Sequence, residues 1–156
     1  DSSNKEHLMT LADRLAADMR KALLAGDSLR VSTIRLARAS IQNAAIERGR
    51  DLTDEEIIEI LGREMKRRRE AIEAFAKGGR DDLVRKETLE LAILTEYVPA
   101  PLSLAELRAL IAEAITQVQA KDARDMGRVM AAVMPKVKGR ADGAAVNQMV
   151  REMLPR

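Results

Sequence analysis

The sequence predicts an all-α fold, multihelical, made of two small helical sub-bundles joined by a proline-containing linker. Three observations carry this. Apolar residues recur at i, i+3, i+4 and i+7 in one stretch after another. Two capping boxes, Thr53 with Glu56 and Ser103 with Glu106, stand directly before such stretches and mark helix starts. The residues available for a core are Leu, Ile, Val, Ala and eight Met, with one Phe, one Tyr and no Trp, a set that favours helix packing over sheets.

The elements follow in order. Residues 1–8 lack an initiator Met and apolar periodicity and read as a leader or a cloning scar, so the N-terminal helical domain is set at 9–97. Thr10 caps a first helix with Leu11, Leu15, Met19, Ala22 and Leu23 on one face until Gly26 stops it. Asp27 or Ser28 caps a second, striped by Val31, Ile34, Ala37 or Arg38, Ile41, Ala44 and Ala45 before Gly49. From Thr53, a third carries Ile57, Ile60, Leu61, Met65, Arg68, Ile72 and Phe75 until Gly78 and Gly79. A fourth starts at Asp81 or Asp82 and is apolar over more than one face, through Leu83, Val84, Leu89 or Leu91, Ile93, Leu94 and Tyr97, which predicts a largely buried helix.

The run Val98-Pro-Ala-Pro101 cannot continue a helix, because each proline lacks a donor and pushes its predecessor out of the α region. The boundary falls here, with a C-terminal helical domain over 98–156. Its first helix points Leu107, Leu110, Ile111, Ala114, Ile115 and Val118 inward. In the next, Met126, Val129, Met130, Val133 and Met134 recur at helical spacing, and Pro135 and Gly139 close it. Gly127 inside that helix costs about 1 kcal/mol against alanine, which predicts a packing reason such as a close helix approach. Asp142 caps a last helix striped by Val146, Met149, Val150 and Met153.

The inventory excludes much chemistry. There is no cysteine, so no disulfide, thiolate nucleophile or thiolate metal site. The single histidine, His7, precedes the first periodic stretch, which removes His-based triads and His-rich metal sites from the folded body. No phosphate-binding glycine loop and no isolated carboxylate pair appears, so no catalytic residue, metal ligand or cofactor is assigned. No run approaches the ~18 apolar residues of a membrane span, and no secretory signal opens the chain, so no membrane partner and a soluble cytoplasmic protein are expected.

Net charge is only +2, but from Val98 onward nine Lys or Arg stand against six acids. They converge where the helix holding Val133 ends: Lys136, Lys138 and Arg140 crowd its exit. Such cations can contact phosphates without a shaped pocket, and they can equally complement the helix dipole. In the other domain, Lys66-Arg-Arg-Arg69 reads either as an anion-binding patch or, more simply, as a solvated face from which Arg68 pairs with Glu87 or Glu90.

Several motifs in this order resemble the GatB/YqeY family, in particular its short free-standing YqeY-like members. They are Leu29-Arg-Val-Ser-Thr-Ile-Arg-Leu36, Lys66-Arg-Arg-Arg-Glu-Ala-Ile72, Gly79-Arg-Asp-Asp-Leu83, Glu90 with Tyr97-Val-Pro99, and Met126-Gly-Arg-Val-Met130 through Lys138-Gly-Arg-Ala-Asp142. The resemblance spans about Leu11 to Leu154. It implies a C-terminal part similar to the tail of the B subunit of the glutamine-dependent tRNA amidotransferase, and a role in translation. It implies carbon–nitrogen ligase activity with glutamine as amido-N-donor at the family level, which this chain, lacking a catalytic constellation, would assist as a tRNA-associated accessory. The implied nucleic-acid-binding residues are Arg128, Lys136, Lys138 and Arg140, with Gly127, Met130, Gly139 and Asp142 as structural motif residues. The implied partners are tRNA and an amidotransferase or aminoacyl-tRNA synthetase. A helical protein–protein interaction module unrelated to tRNA is the alternative.

Overall fold

The structure, a computed structural model, describes residues 9–156 and is all-helical there, as the periodicity predicts. The leader or scar expected over residues 1–8, and His7 with it, lies outside the described residues. The chain forms two compact units, one ending at Val98 and the other running from Pro99 to Arg156.

The N-terminal unit holds α1 (Leu11–Ala25), α2 (Ser28–Arg48), α3 (Asp54–Lys77) and α4 (Asp81–Thr95). Local chemistry sets the boundaries. Thr10 Oγ1 accepts the Asp13 N–H at 3.1 Å, and Asp27 Oδ1 accepts the Arg30 N–H at 3.1 Å. At Thr53 and Glu56 both halves of the capping box form. Glu56 also takes both terminal nitrogens of Arg50, at 2.8 and 3.0 Å, and pairs with Arg48, so one carboxylate ties the end of α2 to the start of α3. Gly26 and Gly49 end their helices at φ 73° and 70°, left-handed values that cost glycine little.

The core of this unit is built on Leu15, Ile34, Ile57, Leu61, Met65, Ile93, Leu94 and Tyr97. Two expectations are corrected. Leu23 is 54% exposed, because the helix-one face narrows to Leu15 and Ala22 by its last turn. The fourth helix is not largely buried: only Glu90, Ile93 and Leu94 are, and Leu89 is 51% exposed. Its apolar residues spread over more faces than its neighbours in the unit cover. A polar cluster joins α1, α2 and the end of α4. Arg14 lies 4.6 Å from the Tyr97 ring centroid and donates to the Glu96 carbonyl at 2.9 Å, the Tyr97 hydroxyl donates to Asp18 at 2.5 Å, and Arg30 pairs with Glu96 at 2.7 Å. These contacts serve the end of α4, whose last turn has no basic residue of its own.

The C-terminal unit holds α5 (Leu104–Gln117), a 3-10 turn (Ala123–Asp125), α6 (Met126–Val137) and α7 (Gly143–Met153). Its core repeats one spacing: Leu107 and Ile111 on α5, Val129, Val133 and Val137 on α6, and Val146, Val150 and Leu154 along and just past α7. Residues four apart share a helix face, so each helix lays one aliphatic ladder inward. That ladder explains a correction at Pro135, which lies inside α6 rather than closing it. Proline denies Ala131 an intrahelical partner, but both residues are exposed. Another turn brings Val137 into the core at 0% exposure.

Candidate nucleic-acid interface

The four basic residues singled out on the sequence do not form one cluster. Arg128 stands in the first turn of α6 and Lys136 in its last, roughly 12 Å apart along the axis at 1.5 Å per residue. At the start of α6 the cations are matched by acids. Arg128 pairs with Asp125 at 3.1 Å and Arg124 with Asp122 at 3.0 Å. The Lys121 backbone N–H, 2.7 Å from Asp125 Oδ2, holds the Asp125 carboxyl below the usual carboxylate range, and Arg128 adds to this. Arg124 does the same for Asp122, chiefly through its side-chain hydrogen bond.

Two further cations stand at the exit of α6. Lys136 and Lys138 are exposed. Gly139, at φ 76°, turns the chain so that the Val137 carbonyl accepts the N–H groups of both Arg140 and Ala141, at 2.8 and 3.0 Å. Arg140 is half-buried: its Nε donates to the Ala100 carbonyl at 3.2 Å, and its own carbonyl accepts the Leu102 N–H at 2.9 Å. Arg140 therefore braces the turn against the segment after Pro99, and Lys136 and Lys138 stand exposed on either side of Val137.

The motif residues divide in the same way. Met130 is half-buried and packs on the valine ladder. Gly139 is required by its positive φ. Gly127 has no packing reason: it is exposed, and a Cβ added there would meet nothing within 4 Å. Asp142 occupies the N-cap position of α7 with extended backbone, but its side chain makes no capping hydrogen bond, so the predicted side-chain cap does not form.

In the other unit, Arg68 Nη1 bonds to Glu87 at 3.1 Å and also to Glu90, joining α3 to α4. The Arg68 side chain is 11% exposed and that of Glu90 8%, so this is an internal ion pair and not an anion site. Arg63, exposed on α3, was passed over in the sequence, although Arg63 to Arg69 holds five cations and one acid. Among the described residues, no three His, Cys, Asp or Glu side chains are placed to hold a metal ion.

The family model for Yqey-like proteins matches residues 12–154. This chain belongs to the YqeY-like family. Its curated relatives bear the name "Altered inheritance of mitochondria protein 41, mitochondrial". The Eremothecium gossypii protein is 40% identical over 64% of this chain and 56% of its own length. The Pyrenophora tritici-repentis protein is 30% identical over 90% of this chain and 79% of its own length. The Lachancea thermotolerans protein is 32% identical over 76% and 64%. Against the first of these YqeY-like relatives the chain thus spans little more than half the length.

These names overturn the expectation of a cytoplasmic protein, since the relatives are mitochondrial. That expectation rested on the lack of a membrane span and of a secretory leader. Among the described residues no helix is long and apolar enough to cross a membrane. Neither feature separates one aqueous compartment from another.

Proposed function

We propose that this YqeY-like chain is a tRNA-associated accessory to glutamine-dependent amidotransferase chemistry, one that holds tRNA through its C-terminal unit and performs no amidation itself. The observation that supports it is the exit of α6, where exposed Lys136 and Lys138 flank a turn fixed by Gly139 and braced by Arg140. Ammonium groups beside a turn held by its own hydrogen bonds can meet phosphate oxygens at little ordering cost. Arg128 is a weaker contact in this reading, since Asp125 already neutralises it. The carbon–nitrogen ligase activity with glutamine as amido donor would reside in the partner, an amidotransferase or an aminoacyl-tRNA synthetase that handles the same tRNA.

Electrophoretic mobility of tRNA at a series of salt concentrations tests the proposal. Binding should weaken steeply as salt rises, and replacing Lys136 and Lys138 by Ala should make the slope of log K against log salt shallower by about 2. Absence of binding at low salt sinks the reading.

A second reading, a protein-interaction module, draws on Leu23 and Leu24, adjacent on α1 and 54% and 86% exposed. Recovery of the same partner from lysate before and after nuclease treatment would favour it over the tRNA reading.

A further inference from the structure

The outward face of α3 has a composition that the fold does not use. Between Gly62 and Arg69 the sequence places Arg63, Lys66, Arg67, Arg68 and Arg69 against one acid, Glu64. Only Arg68 turns inward, to Glu87 and Glu90. Glu64 is taken by Ser40 at 3.1 Å and by Arg67 at 3.0 Å. Arg63, Lys66 and Arg69 are exposed, and among the described residues none has an ion-pair partner. At 100° per residue, Gly62, Lys66 and Arg69 lie on one strip along the helix, with Arg63 and Arg67 beside it.

Gly62 marks the same strip. A glycine in mid-helix costs stability relative to alanine, and here nothing inside the protein requires it: the position is exposed and a Cβ would meet nothing within 4 Å. A bare stretch of backbone beside unpaired cations lets a ligand approach more closely than any side chain would allow. None of the large exposed apolar side chains lies on α3, so this face lacks the apolar anchors of a protein interface. Convex, cationic and without apolar anchors, it matches a sugar-phosphate backbone.

We propose that the Gly62–Lys66–Arg69 face of α3 is a second phosphate-backbone contact for RNA, made by residues other than the lysines at the exit of α6. The inference rests on the tRNA reading above and adds the N-terminal unit to it. The test is filter binding of tRNA to the full chain across a salt series, with circular-dichroism melting to verify folding. Replacing Lys66 and Arg69 by Ala should weaken binding about tenfold at low salt and make the salt slope shallower by about 2. Gly62→Gln should raise the melting midpoint yet weaken tRNA binding severalfold, a combination that a purely structural role does not produce. The matched control removes two exposed cations of α1, Arg20→Ala with Lys21→Ala, and should change binding little. If wild type binds tRNA and the α6 lysine variant is weakened while both α3 variants bind normally, the inference is overturned and the α6 reading stands. An equal loss from the α1 control also overturns it, because net charge alone would then account for the effect. If wild type binds no tRNA, both fall.

Discussion

The two units solve the same problem, packing helices with almost no aromatic residues, in opposite ways. The N-terminal unit works charge into its packing: Arg68, Glu87 and Glu90 join α3 to α4 internally, and a partly exposed cluster of Arg14, Asp18, Arg30 and Glu96 around Tyr97 joins α1 and α2 to the end of α4. Its two buried polar residues are Thr33 and Glu90. The C-terminal unit buries no charged side chain among those described and relies on aliphatic residues four apart on α5, α6 and α7. An ion pair fixes which residues meet but depends on both partners, whereas an aliphatic ladder is stronger per group removed from water and less particular about register. The difference predicts where each unit breaks.

The largest effect should come from Arg68→Ala. It strands Glu90, 6% exposed, with only Lys86 at 3.9 Å to answer it. Removing one partner of a buried pair costs about 3–5 kcal/mol. Urea unfolding followed by tyrosine fluorescence checks this, because the chain's one tyrosine, Tyr97, sits in the N-terminal core and there is no tryptophan. Replacing Arg68 by Met together with Glu90 by Leu should recover most of the loss. A double variant as unstable as the single one would mean that Arg68 acts by packing rather than by charge.

Next in size is Val133→Ala, which removes two methyl groups from a fully buried rung of the α6 ladder. The expected cost is about 2 kcal/mol. Helical signal by circular dichroism should lose stability while the tyrosine transition stays in place. A matching shift at Tyr97 would show that the two cores do not behave as separate structures.

These cores differ in how far the sequence discloses them. Helix starts are local: Thr10, Asp27, Thr53 and Ser103 cap as their spacing predicts, since donor and acceptor lie within three residues. The pairing of Arg68 with acids of the next helix is legible too, because an arginine on an apolar stripe needs an anion opposite. What was not legible depends on distant residues. Pro135 stays within α6 because Val137 is needed in a core that α5 and α7 complete. Arg140 reads as a free cation until Ala100, forty positions earlier, supplies its acceptor. Asp142 has a capping residue's identity and position without making the bond, and the structure offers no physical account of that. Gly127 looks like a packing glycine in sequence, yet a Cβ there would meet nothing within 4 Å.

The smallest predicted effect concerns pH and the Tyr97 cluster. Tyr97→Phe removes a buried hydroxyl that donates to Asp18 at 2.5 Å and should cost about 1–2 kcal/mol near neutral pH. Burial, and after it the bond to Asp18, pushes the Tyr97 hydroxyl well above the ordinary tyrosine range. The folded state thus prefers the neutral phenol more strongly than the unfolded state does. Its contribution is complete below the unfolded pKa of about 10 and is lost as pH rises from there through the folded pKa. Wild type should therefore lose stability in the N-terminal unit above about pH 10, and Tyr97→Phe should lose less over the same window, so the two melting curves converge as pH rises. The C-terminal unit contains no tyrosine and has no such term. Parallel curves for wild type and variant would mean that Asp18 and Arg14 hold the end of α4 without help from the phenol, and that the N-terminal unit depends on its ion pairs alone.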